Sequence, residues 1–416
     1  MRHVGLDFGT TNSAVSLLDD SGLRLAHYGD EDLYRSVLYF DAEQVDGEVP
    51  AAPLSGPDAI REYFEADDSG RFIQSTKTWL GSRLFTFTTI ARRPWYLEDL
   101  VASILRNLRR AAQTDLGPLG LRPVVGRPVN FTATPDEEAN ALGEERLVKA
   151  LEMAGWGEPN FVFEPVAAAY HYERRLSKDE LVLIGDFGGG TSDFCALRVG
   201  PSFQDSEHEI LGTAGVAVAG NAFDSRIVQA LVAPHVGLGS SYRTEFGRVM
   251  EIPASMFKLR WHELSVLRTP DTLRALRDYH RTALQPERLQ RYIDLLEEDL
   301  AYRLYRAVES VKIELSRASE AQFTFMDVSQ RVLRSDLESW IAPEVGRIES
   351  CLDGFLASTG LGADEVDRVF LTGGSSFIPA VRNLFVERFG ADAIRAGEEL
   401  TSVASGLALI ARDRGA

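Results

Sequence analysis

The sequence predicts a mixed α/β protein whose two halves begin in the same way. Residues 4–17 (VGLDFGTTNSAVSL) and 181–197 (LVLIGDFGGGTSDFCAL) share one pattern. Each has an apolar run ending in Asp-Phe-Gly, then small and hydroxylated residues, then a second apolar run, which is typical of two strands joined by a tight turn. Strand and helix patterns alternate between and after these segments. One hairpin can hold each side of a polyphosphate, so the repeat favours nucleotide binding.

The elements between the two hairpins follow from turn residues and from the spacing of apolar residues. Gly, Pro and Asp turns divide the first part into short apolar segments, and apolar residues three and four apart mark the helices. The predicted elements are small strands over 24–93, a helix over 96–114, a buried strand over 123–135, a helix over 137–154 and a strand, turn and helix over 160–175. A proline at the start of the last helix suits its first turn.

The second half predicts more helix than the first. Residues 223–316 have the apolar spacing of long amphipathic helices, with a near-continuous stretch over 286–317. Residues 368–389 then predict a buried strand, a Gly-Gly turn and a helix, and residues 402–412 predict a last apolar helix. The alternation of strands and helices indicates an α/β protein large enough for two domains with substantial cores.

Composition excludes several classes of protein. The chain has 416 residues, with 44 Lys and Arg against 62 Asp and Glu, so its net charge is −18. Such an acidic chain lacks the basic footprint of sequence-independent nucleic-acid binding. The two cysteines predict neither a disulfide framework nor a metal site. No apolar run is long enough to cross a membrane, and the strand pattern begins too early for a signal peptide, so we expect a cytoplasmic protein with no membrane partner.

Three glycine-bearing turns, each directly after an apolar strand, carry the predicted phosphate chemistry. The sequence contains no Gly-Lys-Ser/Thr, so a P-loop is excluded. Glycines let the backbone approach a phosphate, and Thr10, Thr11 and Thr191 add hydroxyl donors. Asp7 and Asp186 would be repelled by phosphate, so they are predicted to bind magnesium, through its waters. Two matched hairpins are far stronger evidence than one Asp-Phe-Gly, and the kinase Asp-Phe-Gly is excluded because no His-Arg-Asp loop occurs.

Several motifs resemble those of the actin/Hsp70/sugar-kinase superfamily, and most closely the Hsp70 nucleotide-binding domain. Besides the two hairpins, the segments that carry the resemblance occur in the family's order along nearly the whole chain. They are STKTWLGSR at 75–83, EPVAAA at 164–169, AGNAFD at 219–224, ESVKIELS at 309–316 and LTGGSSFIP at 371–379.

The resemblance implies roles for individual residues. Catalytic roles at the γ-phosphate fall to Lys77, Glu164, Asp186 and Thr191, and the metal ligands would be Asp7, Asp186 and Asp193. Glu164 could instead be a cap at a helix start. The residues implied in binding ATP or ADP are Gly9, Thr10, Thr11, Asn12, Gly188, Gly189, Gly190, Thr191, Gly220, Glu309, Lys312, Ser316, Gly373, Gly374, Ser375 and Phe377.

The chain departs from the family in two respects. Ile313 and Phe377 align with the two arginines that usually flank adenine, and an aliphatic and an aromatic wall can still enclose a purine. The chain also ends at Ala416, soon after the last predicted helix. It therefore resembles truncated bacterial Hsp70-like proteins, in which the interdomain linker, the peptide-binding domain and the helical lid are absent.

The implied fold is the actin-like ATPase fold, with two ribonuclease-H-like lobes around a nucleotide cleft. We expect lobe I over 1–180, with the C-terminal helix 400–416 packed back on it. Lobe II is expected over 181–399, with a helical subdomain over 223–316. The implied activity is slow, magnesium-dependent hydrolysis of ATP that changes how tightly the lobes close.

The sequence is compatible with three other functions. The same fold serves kinases of sugars and other small molecules, for which Glu164 could be the base, although Lys77 and the Hsp70-like segments argue against it. An actin-like filament-forming ATPase and a non-catalytic nucleotide sensor are the other two. Partners other than ATP, such as a protein client or an exchange factor, are not identified by the sequence.

Overall fold

The computed structural model describes residues 2–41, 52–65, 70–90, 92–132, 136–173, 176–203, 209–260, 263, 264, 267, 269–395 and 402–415. Contacts divide the chain into two units. The first comprises Met1–Gly220, Arg347–Phe377 and Val381–Ala416, and the second comprises Asn221–Gly346 and Ile378–Ala380. Helices and strands occur in both units, so the predicted mixed α/β class is confirmed.

The described strands are short, and most of the longer ones are buried. In chain order they are β1 (His3–Phe8), β2 (Asn12–Asp19), β3 (Gly22–Leu25), β4 (Tyr34–Arg35), β5 (Val37–Phe40), β6 (Leu54–Ser55), β7 (Arg71–Gln74), β8 (Phe87–Ile90), β9 (Arg93–Tyr96), β10 (Val124–Arg127), β11 (Asn160–Phe163), β12 (Glu180–Phe187), β13 (Ser192–Val199), β14 (Ile210–Val216), β15 (Ser241–Arg243), β16 (Val249–Glu251), β17 (Glu320–Phe325), β18 (Val328–Leu333), β19 (Arg368–Thr372) and β20 (Ile394–Arg395).

The described helices include the predicted ones and two that were not predicted, at 57–65, where small strands were expected, and at 334–359. In chain order they are α1 (Pro57–Glu65), α2 (Leu97–Leu116), α3 (Glu137–Met153), α4 (Glu164–Glu173), α5 (Gly220–Ile227), α6 (Pro270–Thr282), α7 (Pro286–Glu297), α8 (Ala301–Arg317), α9 (Arg334–Thr359), α10 (Pro379–Phe389) and α11 (Ser402–Asp413). In the part of the chain described, no helix is long and apolar enough to span a membrane.

Two sheets in the first unit are each built around one of the repeated hairpins. In one sheet the strand order is β11-β10-β1-β2-β3, with β4 also paired to β2, and in the other it is β14-β13-β12-β19-β20. β1 is antiparallel to β2 and parallel to β10, and β12 is antiparallel to β13 and parallel to β19. The predicted duplication of the hairpin is therefore confirmed. Asp7 and Asp186 occupy the same position, one residue before the end of the first strand of each hairpin.

The helix α11 is held against the first sheet by contacts that need small residues. It packs on β1, β2 and α4, and Ser16 Oγ donates to Ala404 O at 2.5 Å. Ten consecutive residues of α11, from Ser402 to Ala411, are buried. A Cβ on Gly406 would collide with the carbonyl of Ala167 in α4. The two helices therefore approach each other more closely than any larger residue would allow.

Replacing Gly406 by Ala is expected to destabilise the protein, because α4 and α11 must move apart to make room for the Cβ. Overpacking of this kind costs about 1–3 kcal/mol. The change is read from urea unfolding followed by circular dichroism. The control is Gly354→Ala, because Gly354 lies in α9 and a Cβ there meets no atom within 4 Å. This variant should be as stable as the wild type or more stable. Gly415→Ala is not a matched control, because Gly415 has a φ of 67°. Equal stability of Gly406→Ala and the wild type would contradict the packing.

Two predicted elements are shorter than expected. The near-continuous helix over 286–317 is two helices, because Asp299 adopts a left-handed conformation with φ 48° between α7 and α8. The strand predicted over 123–135 ends at Arg127, since Pro128 follows and has no N–H for a ladder hydrogen bond. Residues 133–135 lie outside the described part of the chain.

The second unit contains strands as well as helices. α6, α7 and α8 follow one another, and two-stranded ribbons form from β15 with β16 and from β17 with β18. Helical spacing alone did not indicate the first of these ribbons, whose strands are three residues each. The unit also begins with α5, which is continued by a π-helical turn over Val228–Val232.

Candidate functional site

The turns of the two hairpins are held by hydrogen bonds within each turn. In the first, Gly9 N donates to Ser13 Oγ at 3.3 Å, and Thr10, Thr11 and Asn12 are partly exposed. In the second, Gly188 N donates to Thr191 O at 3.1 Å. Gly188, Gly189, Gly190 and Thr191 are likewise partly exposed. Both turns thus present backbone and hydroxyl groups at the end of a buried strand, as predicted.

The third glycine turn lies against the second hairpin. Gly373 has φ 78°, and a Cβ there would collide with Phe187 O and lie 3.1 Å from Asp186 Oδ1. Only glycine adopts this conformation in so little space. Ser375 Oγ donates to Gly188 O at 3.4 Å, and Gly220 N donates to the same carbonyl at 3.2 Å. Three separately predicted segments of the first unit therefore meet at one place.

Lys77 lies in a one-turn 3-10 helix, Thr76–Trp79, that we call the Lys77 turn. Its Nζ is 2.6 Å from Glu164 Oε1, and the two side chains are only 10% and 9% exposed. Glu164 is the first residue of α4, where the helix dipole stabilises a carboxylate. The Lys77 turn also approaches the second hairpin, because a Cβ on Gly190 would lie 3.6 Å from Thr78 Oγ1. Lys77 is therefore not a solvated surface lysine.

Three aspartates interact electrostatically with Lys77 and Glu164. Asp193 is 7% exposed, and Asp7 and Asp186 are partly exposed. Burial, Glu164 and Asp186 raise the pKa of Asp7 to about 7, although Lys77 lowers it. Burial and Glu164 raise the pKa of Asp186 to about 6, against the hydrogen bond from Thr372 Oγ1 at 2.8 Å. Burial and neighbouring carboxylates raise the pKa of Asp193 to about 8, against the hydrogen bond from Thr191 Oγ1 at 2.8 Å.

Charge in this group is unbalanced. Four carboxylates, those of Asp7, Glu164, Asp186 and Asp193, interact with one ammonium, that of Lys77. Burial disfavours the charged forms of the three aspartates and raises their pKa values, so a further cation nearby would favour their ionised forms. Among the described residues no group of three or more His, Cys, Asp or Glu could hold a metal ion by itself. These residues fit magnesium, which keeps several of its waters and needs only one or two direct carboxylates.

The stability of the metal-free protein is expected to fall as pH rises from about 4 to about 8. Over this window the folded carboxyls, with raised pKa values, hold protons that the unfolded chain has released. Asp193→Asn keeps a neutral group, so relative to the wild type it should gain on the order of 1–3 kcal/mol between pH 5 and pH 8.5. Urea unfolding in EDTA at both pH values measures this gain, and a difference that does not change with pH would contradict it.

The residues predicted to contact the nucleoside lie on separate units. One face of α8 in the second unit carries Glu309, Lys312 and Ser316. Ile313 lies on the same face and is 48% exposed. Lys312 Nζ pairs with Asp224 Oδ1 at 2.7 Å, and Ser316 Oγ donates to Lys312 O at 2.9 Å. In the first unit, Phe377 ends a short 3-10 helix, Gly374–Phe377, and is 44% exposed.

Two contacts in these regions were not predicted. Asp224, the last residue of the AGNAFD segment, forms an ion pair with Lys312, and both side chains are mostly buried. An acidic residue directly after the phenylalanine of this segment could have indicated such a partner. Thr372, which donates to Asp186, ends β19 directly before the third glycine turn. Thr372 is thus a polar residue at the end of a strand, and ligand-facing groups collect at strand ends in such sheets.

Comparison with known proteins identifies the family of this chain. A family model described as "Hsp70 protein" matches residues 88–236 and 274–412. A chaperone protein DnaK from Thermosipho melanesiensis is 25% identical over 419 aligned positions, which cover 98% of this chain and 58% of that relative. This chain thus spans little more than half of the relative's length. Because the family match covers well over half of its residues, the chain belongs to the Hsp70 family.

Proposed function

We propose that this protein binds ATP with magnesium and hydrolyses it slowly to ADP and phosphate. The observation that carries the proposal is the buried ion pair of Lys77 with Glu164 beside Asp7, Asp186 and Asp193. One fixed cation and several desolvated carboxylates, next to turns rich in backbone N–H groups, suit a magnesium-bound polyphosphate. Membership of the Hsp70 family supports the same reaction.

Each group of residues has a role in this proposal. Backbone N–H groups at Gly9, Gly188–Gly190 and Gly373–Gly374, with the hydroxyls of Thr10, Thr11 and Ser375, would hold phosphate oxygens. Lys77 would stabilise charge that develops on the γ-phosphate, and Thr191 would orient the attacking water. Asp7, Asp186 and Asp193 would hold magnesium through its waters. The metal would supply neutralisation of phosphate charge.

The nucleoside contacts are proposed from α8 and the third glycine turn. Glu309, Lys312 and Ser316 would bind the ribose and the base edge, and Asn12 and Gly220 would complete the phosphate side. Phe377 and Ile313 are 44% and 48% exposed, and the apolar surface of either side chain suits the face of a purine. Adenine is the proposed base.

We also propose the conformational role that such a reaction would serve. Hydrolysis of ATP to ADP would change how tightly lobe I (1–180 with 400–416) and lobe II (181–399, with 223–316) close. The output would be that of a chaperone or a conformational switch, with a protein client or an exchange factor as partner and the cytoplasm as location. No nucleic-acid partner is proposed, in keeping with the net charge of −18.

The pairing of Glu164 weighs against a sugar kinase. A general base must be free to accept a proton from the acceptor hydroxyl, whereas Glu164 is engaged by Lys77 at 2.6 Å. Purified protein should therefore release phosphate from ATP with magnesium alone, and a panel of sugars should not raise the rate. Phosphate found on one added sugar would replace the proposal with a kinase. Titration with GTP beside ATP tests the base, since equal affinities would refute adenine preference.

A further inference from the structure

Arg146, in the middle of α3, is a buried cation whose nearest partners are backbone carbonyls. It is 8% exposed. Its Nη1 lies 3.1 Å from Trp79 O, 3.1 Å from Leu80 O and 2.8 Å from Ser82 O. The carboxylate of Glu98 is more distant, at 3.9 Å from Arg146 Nε. A buried charge is costly unless it is well hydrogen-bonded. The three carbonyls therefore compensate the burial of the Arg146 guanidinium.

The three carbonyls belong to the end of the Lys77 turn and to the residues directly after it. A single 3-10 turn leaves its last carbonyls without partners in the turn itself. At its start, Ser75 has φ 61° and no side-chain cap, a conformation that a non-glycine residue adopts only when its surroundings impose it. The turn has backbone hydrogen bonds from Thr78 N to Ser75 O and from Leu80 N to Lys77 O, and the strained Ser75 at its start indicates that contacts from the rest of the unit help to hold it.

A second contact fixes the same segment to α3. A Cβ on Gly81 would lie 2.8 Å from Phe131 Cβ and 3.1 Å from Ala139 O. Leu80, between Gly81 and the Lys77 turn, is fully buried in the core of the first unit. One side of the segment is thus held by packing and the other by the Arg146 guanidinium.

We propose that Arg146 is a positioning residue for Lys77: by binding three carbonyls it holds the Lys77 turn in place, and so keeps Lys77 Nζ against Glu164. One consequence, that turnover depends on Arg146, rests on the proposed function. The claim that Arg146 holds the Lys77 turn in place does not depend on turnover. All three carbonyls contact one atom, Nη1, which carries two N–H groups, so at least one N–H is shared between two carbonyls. Arginine suits the task because its guanidinium stays charged when buried and its planar shape fixes the direction of these N–H groups.

A purely structural Arg146 would behave differently. Its loss would lower the stability of the whole first unit without releasing Lys77 selectively. The chain offers a matched control in Lys149, which lies one turn later on α3 and approaches the same Glu98 carboxylate at 3.8 Å, but is 62% exposed. Lys149→Met removes a cation from the same helix without touching the Lys77 turn.

The test is competitive acylation of lysines in the full chain, followed by mass spectrometry of the peptides, on protein shown to be folded by its thermal transition. The variants are Arg146→Met, Arg146→Lys and Lys149→Met, and Lys178, 67% exposed, is the internal reference. In the wild type, Lys77 should react at least about ten times more slowly than Lys178, because it is buried and paired. Arg146→Met should raise Lys77 labelling several-fold, Arg146→Lys less, and Lys149→Met not at all.

Turnover is measured on the same preparations. Arg146→Met should lower kcat by about tenfold or more with little change in the Kd for ATP, as expected for a misplaced group near the reacting atoms. Unchanged Lys77 labelling in folded Arg146→Met would overturn the proposal, and so would raised labelling with full kcat. If the wild type shows no turnover, the proposed function fails, while Lys77 labelling still decides whether Arg146 positions Lys77.

Discussion

Lys77→Met is expected to slow ATP turnover by about 10²–10³-fold, while the affinity for ATP changes by no more than about threefold. The reason is that a fixed ammonium stabilises charge that develops on the γ-phosphate, which binding alone does not need. The Lys77–Glu164 pair is almost completely desolvated, so water cannot replace the lost charge effectively. Single-turnover hydrolysis and a nucleotide-binding titration on the same protein measure the two quantities.

Loss of Lys77 also leaves the Glu164 carboxylate buried without its partner. Removing one member of a buried pair costs about 3–5 kcal/mol, so the melting temperature must be followed beside turnover. Lys77→Met/Glu164→Gln separates the two effects, since it should recover much of the stability and none of the rate. Lys178→Met, at an exposed lysine, is the control and should leave both unchanged. A Lys77→Met protein that is folded and turns over normally would contradict the assigned role.

Asp7→Asn and Asp186→Asn are each expected to reduce magnesium-dependent turnover by about 10²-fold or more. Each substitution removes a negative charge from the group that is proposed to hold the metal, yet keeps nearly the same shape. The magnesium concentration for half-maximal rate should rise in both variants. Because burial and the neighbouring carboxylates raise the pKa of each aspartate, the metal-free variants should be no less stable than the wild type.

This combination of lost activity and retained stability distinguishes a binding role from a structural one. Asp271→Asn, at a 91%-exposed aspartate in the second unit, is the matched control for removal of one negative charge. A variant at Asp7 or Asp186 that keeps the wild-type dependence on magnesium would remove that residue from the proposed metal site. Large destabilisation of both variants would instead assign the two aspartates to the fold.

Local patterns predicted the parts of the fold that depend on neighbouring residues. The hairpins of β1–β2 and β12–β13 follow from apolar runs around glycine turns. Periodicity failed at Asp299, because Leu296, Leu300 and Leu304 continue the helical spacing across the break. A single residue with positive φ ends the helix, and nothing in apolar spacing signals it. The 26-residue helix α9, which contains Pro343, was not predicted either.

Contacts between distant residues were less predictable. Lys77 and Glu164 are 87 positions apart, and only the resemblance to a known family suggested that they serve one site. The contacts of Arg146 had no sequence signal at all, because its partners are backbone carbonyls, and carbonyls belong to every residue. The assignments of Glu309, Lys312 and Ser316 to the nucleoside stay predictions, and each of these side chains has a described partner within its own unit.

Hydrolysis at this site is tested by single-turnover conversion of γ-labelled ATP by the purified chain, in magnesium and in water enriched in ¹⁸O. We expect slow release of inorganic phosphate that carries one oxygen from water, with no added acceptor, and near-complete loss of this release in Lys77→Met. Tight binding of ATP without any phosphate release would contradict hydrolysis and leave a nucleotide-binding protein of the Hsp70 family. Equal phosphate release by wild type and Lys77→Met would contradict the site.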